Sequence, residues 1–423
     1  MNRYTSYKDS GIFWIDFFPS HWTITQIKNK YNIGRGRVIS NDDLIDDGLY
    51  PVFSSQTKNN GCLGYINSFD FEEKLITWTT DGANAGTVFL REGKFNCTNV
   101  CGTLKPKNNN VNLEFDAYFL KLATQFYKRP DTNGAKIMNN EMAVIITLSP
   151  PLHEQEQIVS YLDKKTAIVD TLIASKVQKI NLLKENRTAL INHVITKGLN
   201  PNVKLKDSGV EWIGEIPEHW EMKKIKHLTS IISKGTTPST VGKEISDSGE
   251  IRYLKAENIK DSEVSPFPAF FIDSETNESI KRSVLIEGDI LFVIAGATIG
   301  KVAILHKDLT PANTNQAISF IRLKNKQNIR FVWYWLSSSK IQEQMWVVAV
   351  QSAQPNLSME NLGNFFIPLS PFSEQQEIVK YLDTHTQEID ELISLEEKKI
   401  ATLKEYRQAL ISEVVTGKIK VVN

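Results

Sequence analysis

A chain of 423 residues, 41% hydrophobic and 23% charged, has room for about two to four domains that each bury their own core. Its 49 basic and 49 acidic residues cancel, which excludes a chain that coats nucleic acid indiscriminately but not one whose basic groups share a face. With no long apolar run, no apolar stretch in the opening MNRYTSYKDSG, and three cysteines (Cys62, Cys97, Cys101), neither a membrane span, a signal peptide nor a disulfide framework is expected; a reducing cytoplasm is.

In chain order, residues 9–22 read DSGIFWIDFFPSHW, a tryptophan-rich phrase. Strand-like runs follow: KLITWTT (74–80) and TVFLRE (87–92) flank the turn DGANAG. Their β-branched and aromatic residues, bounded by Gly, Asn and Asp, predict a mostly antiparallel sheet. FDAYFLKLATQFY (115–127) predicts a helix packed on it. After Pro150-Pro151 no Gly or Pro occurs from 154 to 197, and apolar residues recur at three- and four-residue steps. Ile158, Leu162, Val169, Leu172, Ile180, Leu183 and Leu190 form the expected seam of a long helix, about 60 Å at the helical rise. The phrase then returns as DSGVEWIGEIPEHW (207–220). A second variable stretch carries GDILFVIAGATIGKVAIL (288–305), read as strands about a turn, and RFVWYWLSSSKIQEQM (330–345), read as one helix. A second helical stretch (374–416) has the seam Ile378, Leu382, Ile389, Leu392, Ile400, Leu403 and Leu410, with Ser373 as its expected N-cap and Gln376 completing a capping box.

The chain is thus written twice. The two phrases agree at 8 of 14 positions, and 154–196 agrees with 374–416 at 22 of 43 without a gap. Fainter echoes link Gly82 with Gly296, Gly86 with Gly300, and Thr98-Asn99 with Thr314-Asn315. Between these anchors 23–149 and 221–369 have little in common. Similar ends with dissimilar middles predict one duplicated scaffold carrying two different heads. Helices this long cannot hide an apolar stripe inside a small domain, so the two are expected to pack against each other as an antiparallel pair.

Charge is near even in both variable stretches, 14 basic to 13 acidic and 17 to 15, so any binding to DNA must come from placement. Five loops concentrate side chains that form paired hydrogen bonds with base edges. They nominate Arg35, Arg37, Ser55, Gln56, Lys58 and Asn59 in the first head. In the second they nominate Lys234, Thr236, Thr237, Ser239, Lys243, Lys255, Asn258, Gln351, Gln354 and Asn356. Solvated loops have the same composition, and the functional reading rests on the architecture as a whole.

Catalytic motifs fail one by one. HEQEQ (153–157) has Gln where a zincin needs its second ligand, and GATIGK (296–301) is one residue short of a phosphate loop with Val302 in place of Ser/Thr. Cys97-x3-Cys101 has no second pair to complete a zinc site. Glu396-Glu397-Lys398 lies in a helical stretch with no partnering Asp in a defined core, and His21 and His219 beside their tryptophans read as packing residues. No catalytic residue and no metal ligand is nominated.

Two different heads between near-identical helical stretches, with GVEWIGEIPEHW (209–220), PPLHEQEQIVSYLDKKTAIVDTLI (150–173) and RQALISEVVTGKI (407–419), resemble the specificity subunit of type I restriction-modification systems over essentially the whole chain. The resemblance implies an α+β fold: two α/β target recognition domains joined by a long antiparallel two-helix coiled coil, with a pseudo-two-fold internal repeat. It implies an N-terminal segment (1–22) packing near the C-terminal helix, recognition domains at 23–149 and 221–369, a central helix (150–199), a linker with the repeated phrase (200–220) and a C-terminal helix (370–423), with the two termini close together. It implies that each domain reads half of an asymmetric bipartite sequence in double-stranded DNA. The coiled coil sets the spacer and docks two modification subunits that methylate adenine; restriction subunits join them. No cofactor is bound by this chain; S-adenosylmethionine, ATP and Mg belong to the partners. The competing expectation is a scaffold whose heads bind proteins.

Overall fold

The computed structural model describes residues 3–108, 110–132, 134–260, 262–349 and 355–422. It divides into two units, Met1–Val177 with Glu397–Asn423, and Gln178–Glu396.

The first unit is organised by a four-stranded antiparallel sheet of β1 (Tyr31–Arg35), β2 (Leu75–Thr79), β3 (Val88–Arg91) and β4 (Cys101–Pro106), in the order β1-β4-β2-β3. All five residues of β2, LITWT, are buried, so both faces of the strand are covered and no charged residue alternates with its apolar ones. Helix α1 (Leu113–Tyr127) lays Phe115, Phe119, Leu120 and Ala123 toward the core. Each of the three larger side chains contributes about 1.5–3 kcal/mol of burial. Asn112 starts the helix by accepting the Phe115 N–H at 2.9 Å. A smaller sheet sets Asn96–Cys97 parallel to Tyr50–Phe53, which runs antiparallel to Cys62–Ile66. Ile146–Ser149 returns beside Thr23–Gln26, so the head leaves its frame where it enters. Helix α2 (Leu152–Lys197) begins there.

The second unit repeats this topology. Its sheet is β5 (Thr229–Lys234), β6 (Ile290–Val293), β7 (Val302–Ile304) and β8 (Ile318–Leu323), in the order β5-β8-β6-β7. Ala312–Thr314 runs parallel to Ile251–Leu254, which pairs antiparallel with Phe271–Ile272. Glu221–Lys224 pairs with Phe366–Leu369 at the neck. The helix expected over 330–345 is two, α3 (Ile329–Ser337) and α4 (Ser339–Ala349). Ser338 between them is extended (φ −69°, ψ 150°), because Asn192 takes the start of α4: its Oδ1 accepts the Ser339 N–H at 3.0 Å and its Nδ2 donates to Ser339 Oγ at 2.7 Å.

The second long helix is α5 (Phe372–Val415). It starts before Ser373, so that residue is not its N-cap. Instead the buried Gln375 reaches back to the Ser370 carbonyl and Gln155 to the Pro150 carbonyl, both at 2.7 Å. Of the expected seam, Ile158, Leu162, Val169, Ile180, Ile378, Leu382 and Leu410 are buried, while Leu183, Leu190, Ile389, Ile400 and Leu403 are half-buried. Leu172 and Leu392 depart from it, at 46% and 43% exposed. At 3.6 residues per turn the stripe steps from Val169 to Ile173 and from Ile389 to Ile393, both half-buried, and the leucines one position earlier turn outward.

Within each unit the two helical segments run antiparallel. In the first, Ile158 and Leu162 share a core with Leu410, Ile411 and Val414, and Arg407 meets Asp170 at 2.9 Å. In the second, Ile378 and Leu382 share a core with Ile191 and Val194. There the repeat-equivalent Arg187 meets Asp390 at 2.9 Å. Exposed pairs such as these add about 0–1 kcal/mol each, so the apolar stripe carries the stability and the ion pairs fix register.

The repeated phrase bolts each helix start to its frame. Trp22, fully buried, donates from Nε1 to Glu154 at 3.0 Å, and His21 Nε2 lies 2.7 Å from the same carboxylate. Trp220 and His219 hold Glu374 at 3.1 and 2.8 Å. Tyr118 of α1 donates to Asp163 at 2.7 Å, and Tyr334 of α3 to Asp383 at 2.6 Å. Near the ends of the chain, Tyr7 Oη donates to the Lys418 carbonyl at 3.5 Å.

Candidate nucleic-acid interface

In both heads three loops converge on one edge of the sheet. The chain leaving β1 is held by Gly36 N–H to the Cys101 carbonyl at 3.0 Å and Arg37 N–H to the Cys97 carbonyl at 3.1 Å. The chain leaving β5 is held likewise, Gly235 to Ile318 at 3.1 Å and Thr236 to Thr314 at 3.0 Å. A Cβ on Gly36 would stand 2.2 Å from the Cys97 oxygen, and one on Gly235 would stand 2.1 Å from that of Thr314. Only glycine allows this approach. These bonds match Cys97 with Thr314 and Thr98 with Asn315, one residue away from the pairing that the Thr-Asn echo suggests. Two polar residues are too short a string to fix register; the backbone decides it.

The hairpin turns complete the edge. Gly86 N–H bonds to Thr79 and Gly300 N–H to Val293, each at 2.8 Å, with Gly82, Gly86, Gly296 and Gly300 all at positive φ. A further segment seals each turn: Ile137 N–H meets Thr80 at 2.8 Å, and Leu357 N–H meets Ile294 at 2.9 Å.

On this frame the first head gathers Arg35, which donates to Thr80 Oγ1 at 3.3 Å, and Ser55, whose carbonyl accepts from Asn84 at 3.2 Å. Arg37 is exposed and tied to Asp70 at 2.9 Å. Gln56 turns its amide inward to the Cys62 carbonyl, while Lys58 and Asn59 stay exposed. In the second head Lys234 and Ser239 are exposed and Thr236 and Thr237 half-buried. The Thr236 carbonyl accepts from Tyr253 at 2.9 Å. Asn356 bridges Ala295 on the hairpin turn. Lys243 is engaged with Glu275 at 2.6 Å, which raises its pKa, and Lys255 lies 3.4 Å over the Phe270 ring. Gln351 and Gln354 lie outside the described residues.

Asn258 is a correction. It is 1% exposed; its amide donates to the Ser265 and Pro268 carbonyls at 3.1 and 2.9 Å, and its oxygen accepts the Lys255 N–H at 2.9 Å. Its hydrogen-bonding groups are used within the chain, so it shapes a loop and has none left for a base.

Two polar residues on the edge escaped the sequence reading. Asn84 sits in the turn DGANAG, which gave a turn signal but no chemical one. Lys136 lies on the strand that pairs with that turn, and its ion pair at 3.0 Å holds Asp131 below the usual carboxylate range. Among the described residues no group of three or more His, Cys, Asp or Glu side chains could hold a metal ion, and no helix is long and apolar enough to cross a membrane.

This doubled frame is found elsewhere. The family described as type I restriction modification DNA specificity domain matches residues 19–182 and again 217–405. The chain belongs to that family and carries its domain twice. The MjaVIII specificity subunit of the type I restriction enzyme from Methanocaldococcus jannaschii is 27% identical over 422 residues, spanning 96% of this chain and 94% of that one. A putative type I specificity subunit of Mycoplasma pneumoniae is 28% identical over 360 residues, spanning 85% and 87%. A solved chain from work on complex assembly and conformational transition of the type I R-M system has TM-score 0.71 at 15% identity, covering 95% of this chain and 99% of that one. The HsdS subunit from Thermoanaerobacter tengcongensis has TM-score 0.51 at 16% identity, covering 95% and 98%. At these identities the structural likeness is one of fold. The chain is therefore a non-catalytic specificity subunit, and its function is recognition of DNA sequence.

Proposed function

We infer that each head reads one half of an asymmetric, two-part target in double-stranded DNA, the first through the edge around Arg35, Arg37 and Ser55, the second through the edge around Lys234, Thr236 and Asn356. Helices α2 and α5 hold the halves at a fixed spacing and dock two adenine-methylating subunits. Restriction subunits join that core in the cytoplasm. S-adenosylmethionine, ATP and Mg are bound by the partners, and this chain supplies the address.

One observation carries the reading: the two heads share a backbone frame, down to the glycine pressed on a carbonyl, yet present different side chains from it. A duplicated frame suits two similar approaches to a duplex. Different side chains suit two different half-sites, because base edges are read by side-chain donors and acceptors. Gly36 and Gly235 bring the chain close to its neighbour, and the loops that follow can offer both backbone and side-chain groups to DNA.

Methylome sequencing of cells with and without this gene, the modification partner being present, tests it. Loss of N6-methyladenine from one asymmetric bipartite motif is the expected result. An unchanged methylome in an active system overturns it and favours heads that bind proteins.

A further inference from the structure

Gly86 and Gly300 close the hairpin turns at positive φ, and with no side chain to pin them they are held through their peptide groups. Their N–H groups bond back to the strand before the turn, at Thr79 and Val293. Their carbonyls are met by side chains from the helices. Thr124 of α1, fully buried, sets its hydroxyl between two acceptors, the Gly86 carbonyl at 2.7 Å and the Leu120 carbonyl at 2.9 Å. Gln342 of α4 donates from Nε2 to the Gly300 carbonyl at 2.8 Å and to the Leu336 carbonyl at 3.0 Å.

The two bridges have the same ends and different spans. Leu120 and Leu336 correspond, each two positions past the tyrosine that binds a long helix, in Tyr118-Phe119-Leu120 and Tyr334-Trp335-Leu336. Gly86 and Gly300 correspond as well. The donors do not: Thr124 stands six positions past its tyrosine and Gln342 eight. Where α1 runs on unbroken, a short hydroxyl on the next turn suffices. Where Ser338 interrupts the helix, the donor comes from beyond the break and is a longer amide. A Cβ on Gly300 would overlap Gln342 Oε1, and one on Gly86 would press on Thr124 at 3.2 Å. Packing alone requires volume, and it does not require a donor at the same two carbonyls in two heads of dissimilar sequence.

We propose that Thr124 and Gln342 are positioning residues for sequence reading: each fixes the hairpin turn of its head and so determines specificity for one half-site without touching a base. The proposal rests on the DNA-reading function. The turns carry Ala83 and Asn84 in one head and Ala297 and Thr298 in the other, the alanines exposed and the polar residues half-buried. Hydrogen bonds to base edges weaken steeply when bent, so they discriminate only if the backbone that carries them is held in place. Thr124 has no exposed surface and acts on DNA only through the turn, while the Gln342 amide donates to the two carbonyls. In the first unit the contacts run from Asp163 through Tyr118 and α1 to Thr124 and Gly86. In the second they run from Asp383 through Tyr334 and α3 to Leu336, Gln342 and Gly300.

The test uses the full chain assembled with its modification partner. Methylome sequencing of the parent gives the motif, and binding is then measured to duplexes in which each of its base pairs is changed in turn. Thr124→Val keeps the volume and removes the donor, as Gln342→Met does in the second head. Thr124→Val should lower the preference for correct over changed base pairs about tenfold in one half-site only, and Gln342→Met in the other only. Thr124→Ser, which keeps the hydroxyl, should restore the preference of the parent. Asn258→Ala, a loss of buried hydrogen bonds elsewhere in the second head, should weaken folding without moving either preference. Parent-like preference in either donor-free variant overturns the assignment for that head. Relaxation of both halves by a single variant overturns it too, because a general loosening would then be the cause. If Thr124→Val fails to assemble, Gln342→Met, at a half-buried site, decides by the same criteria. A parent complex that distinguishes no duplex overturns the DNA-reading function itself, and the proposal with it.

Discussion

Single residues in this chain are easiest to identify where they are repeated and hardest where their partner is distant. His21-Trp22 and His219-Trp220 stand out as a pair of echoes, and their composition points to packing. Their use is more particular: each pair clamps the one glutamate that opens a long helix, more than 130 positions away, as the 132-residue separation of Trp22 and Glu154 shows. Removing the indole donor takes one hydrogen bond from a carboxylate that His21 or His219 still holds, at a cost of about 1.5–3 kcal/mol for a bond to a charged group. Trp22→Phe and Trp220→Phe should each lower the free energy of unfolding by that amount, seen as a lower midpoint of urea unfolding followed by circular dichroism. An unchanged midpoint would reduce these bonds to decoration. Asn258 teaches the opposite lesson. Its amide suits an adenine edge and a pair of loop carbonyls equally well, and only the fold reveals which it has. Asn258→Ala should therefore cost about 1–3 kcal/mol and leave the preferred base at every position of the target unchanged, as read by binding to a panel of duplexes.

Elements were legible wherever local patterning alone decides them. The Gly- and Pro-free stretches became the two long helices, and the aligned glycines of DGANAG and AGATIG became matching turns. What patterning misses is decided by neighbours. RFVWYWLSSSKIQEQM carries no Gly or Pro, yet Asn192 of another helix splits it at Ser338. Leu172 and Leu392 suit a heptad, but a helix of 3.6 residues per turn carries them out of the stripe. The glycines divide by the same criterion. Gly82 and Gly296 have positive φ with open space where a Cβ would be, so alanine there should cost only the backbone strain of about 1–2 kcal/mol. Gly36 and Gly235 meet backbone oxygens that no rotamer can move, and alanine should cost about 3 kcal/mol and detach the reading loop of one head. Calorimetry gives the stabilities. Methylome sequencing should show Gly36→Ala relaxing one half of the motif and Gly235→Ala the other; loss of both halves by either change would contradict independent heads.

At the scale of the whole molecule the duplication explains why so much was visible from sequence and where the visibility stopped. The frame is under the same physical demands twice: a neck of paired strands, a tryptophan on a glutamate, a tyrosine on an aspartate. It is therefore spelled nearly the same way twice. The heads share only a backbone path, which many sequences satisfy, so their common sheet order was hidden and even the Thr-Asn echo fell one residue out of register. If the heads are independent readers on a common frame, exchanging 23–149 for the corresponding region of a relative should change one half of the methylated motif and leave the other half intact. The helices make a second, separable demand. Inserting four residues at matching points of α2 and α5, where each turns an exposed face outward, adds about 6 Å of helix. At 3.4 Å per base pair along one strand, that should widen the gap between half-sites by about one or two base pairs without changing either half. The four-residue step also rotates the stripe by only about 40°, so the antiparallel packing survives. A three-way comparison by methylome sequencing of the parent, the exchange and the insertion assigns sequence to the heads and spacing to the helices. An exchange that altered the gap, or an insertion that altered the bases, would mean that the frame and its heads cannot be separated.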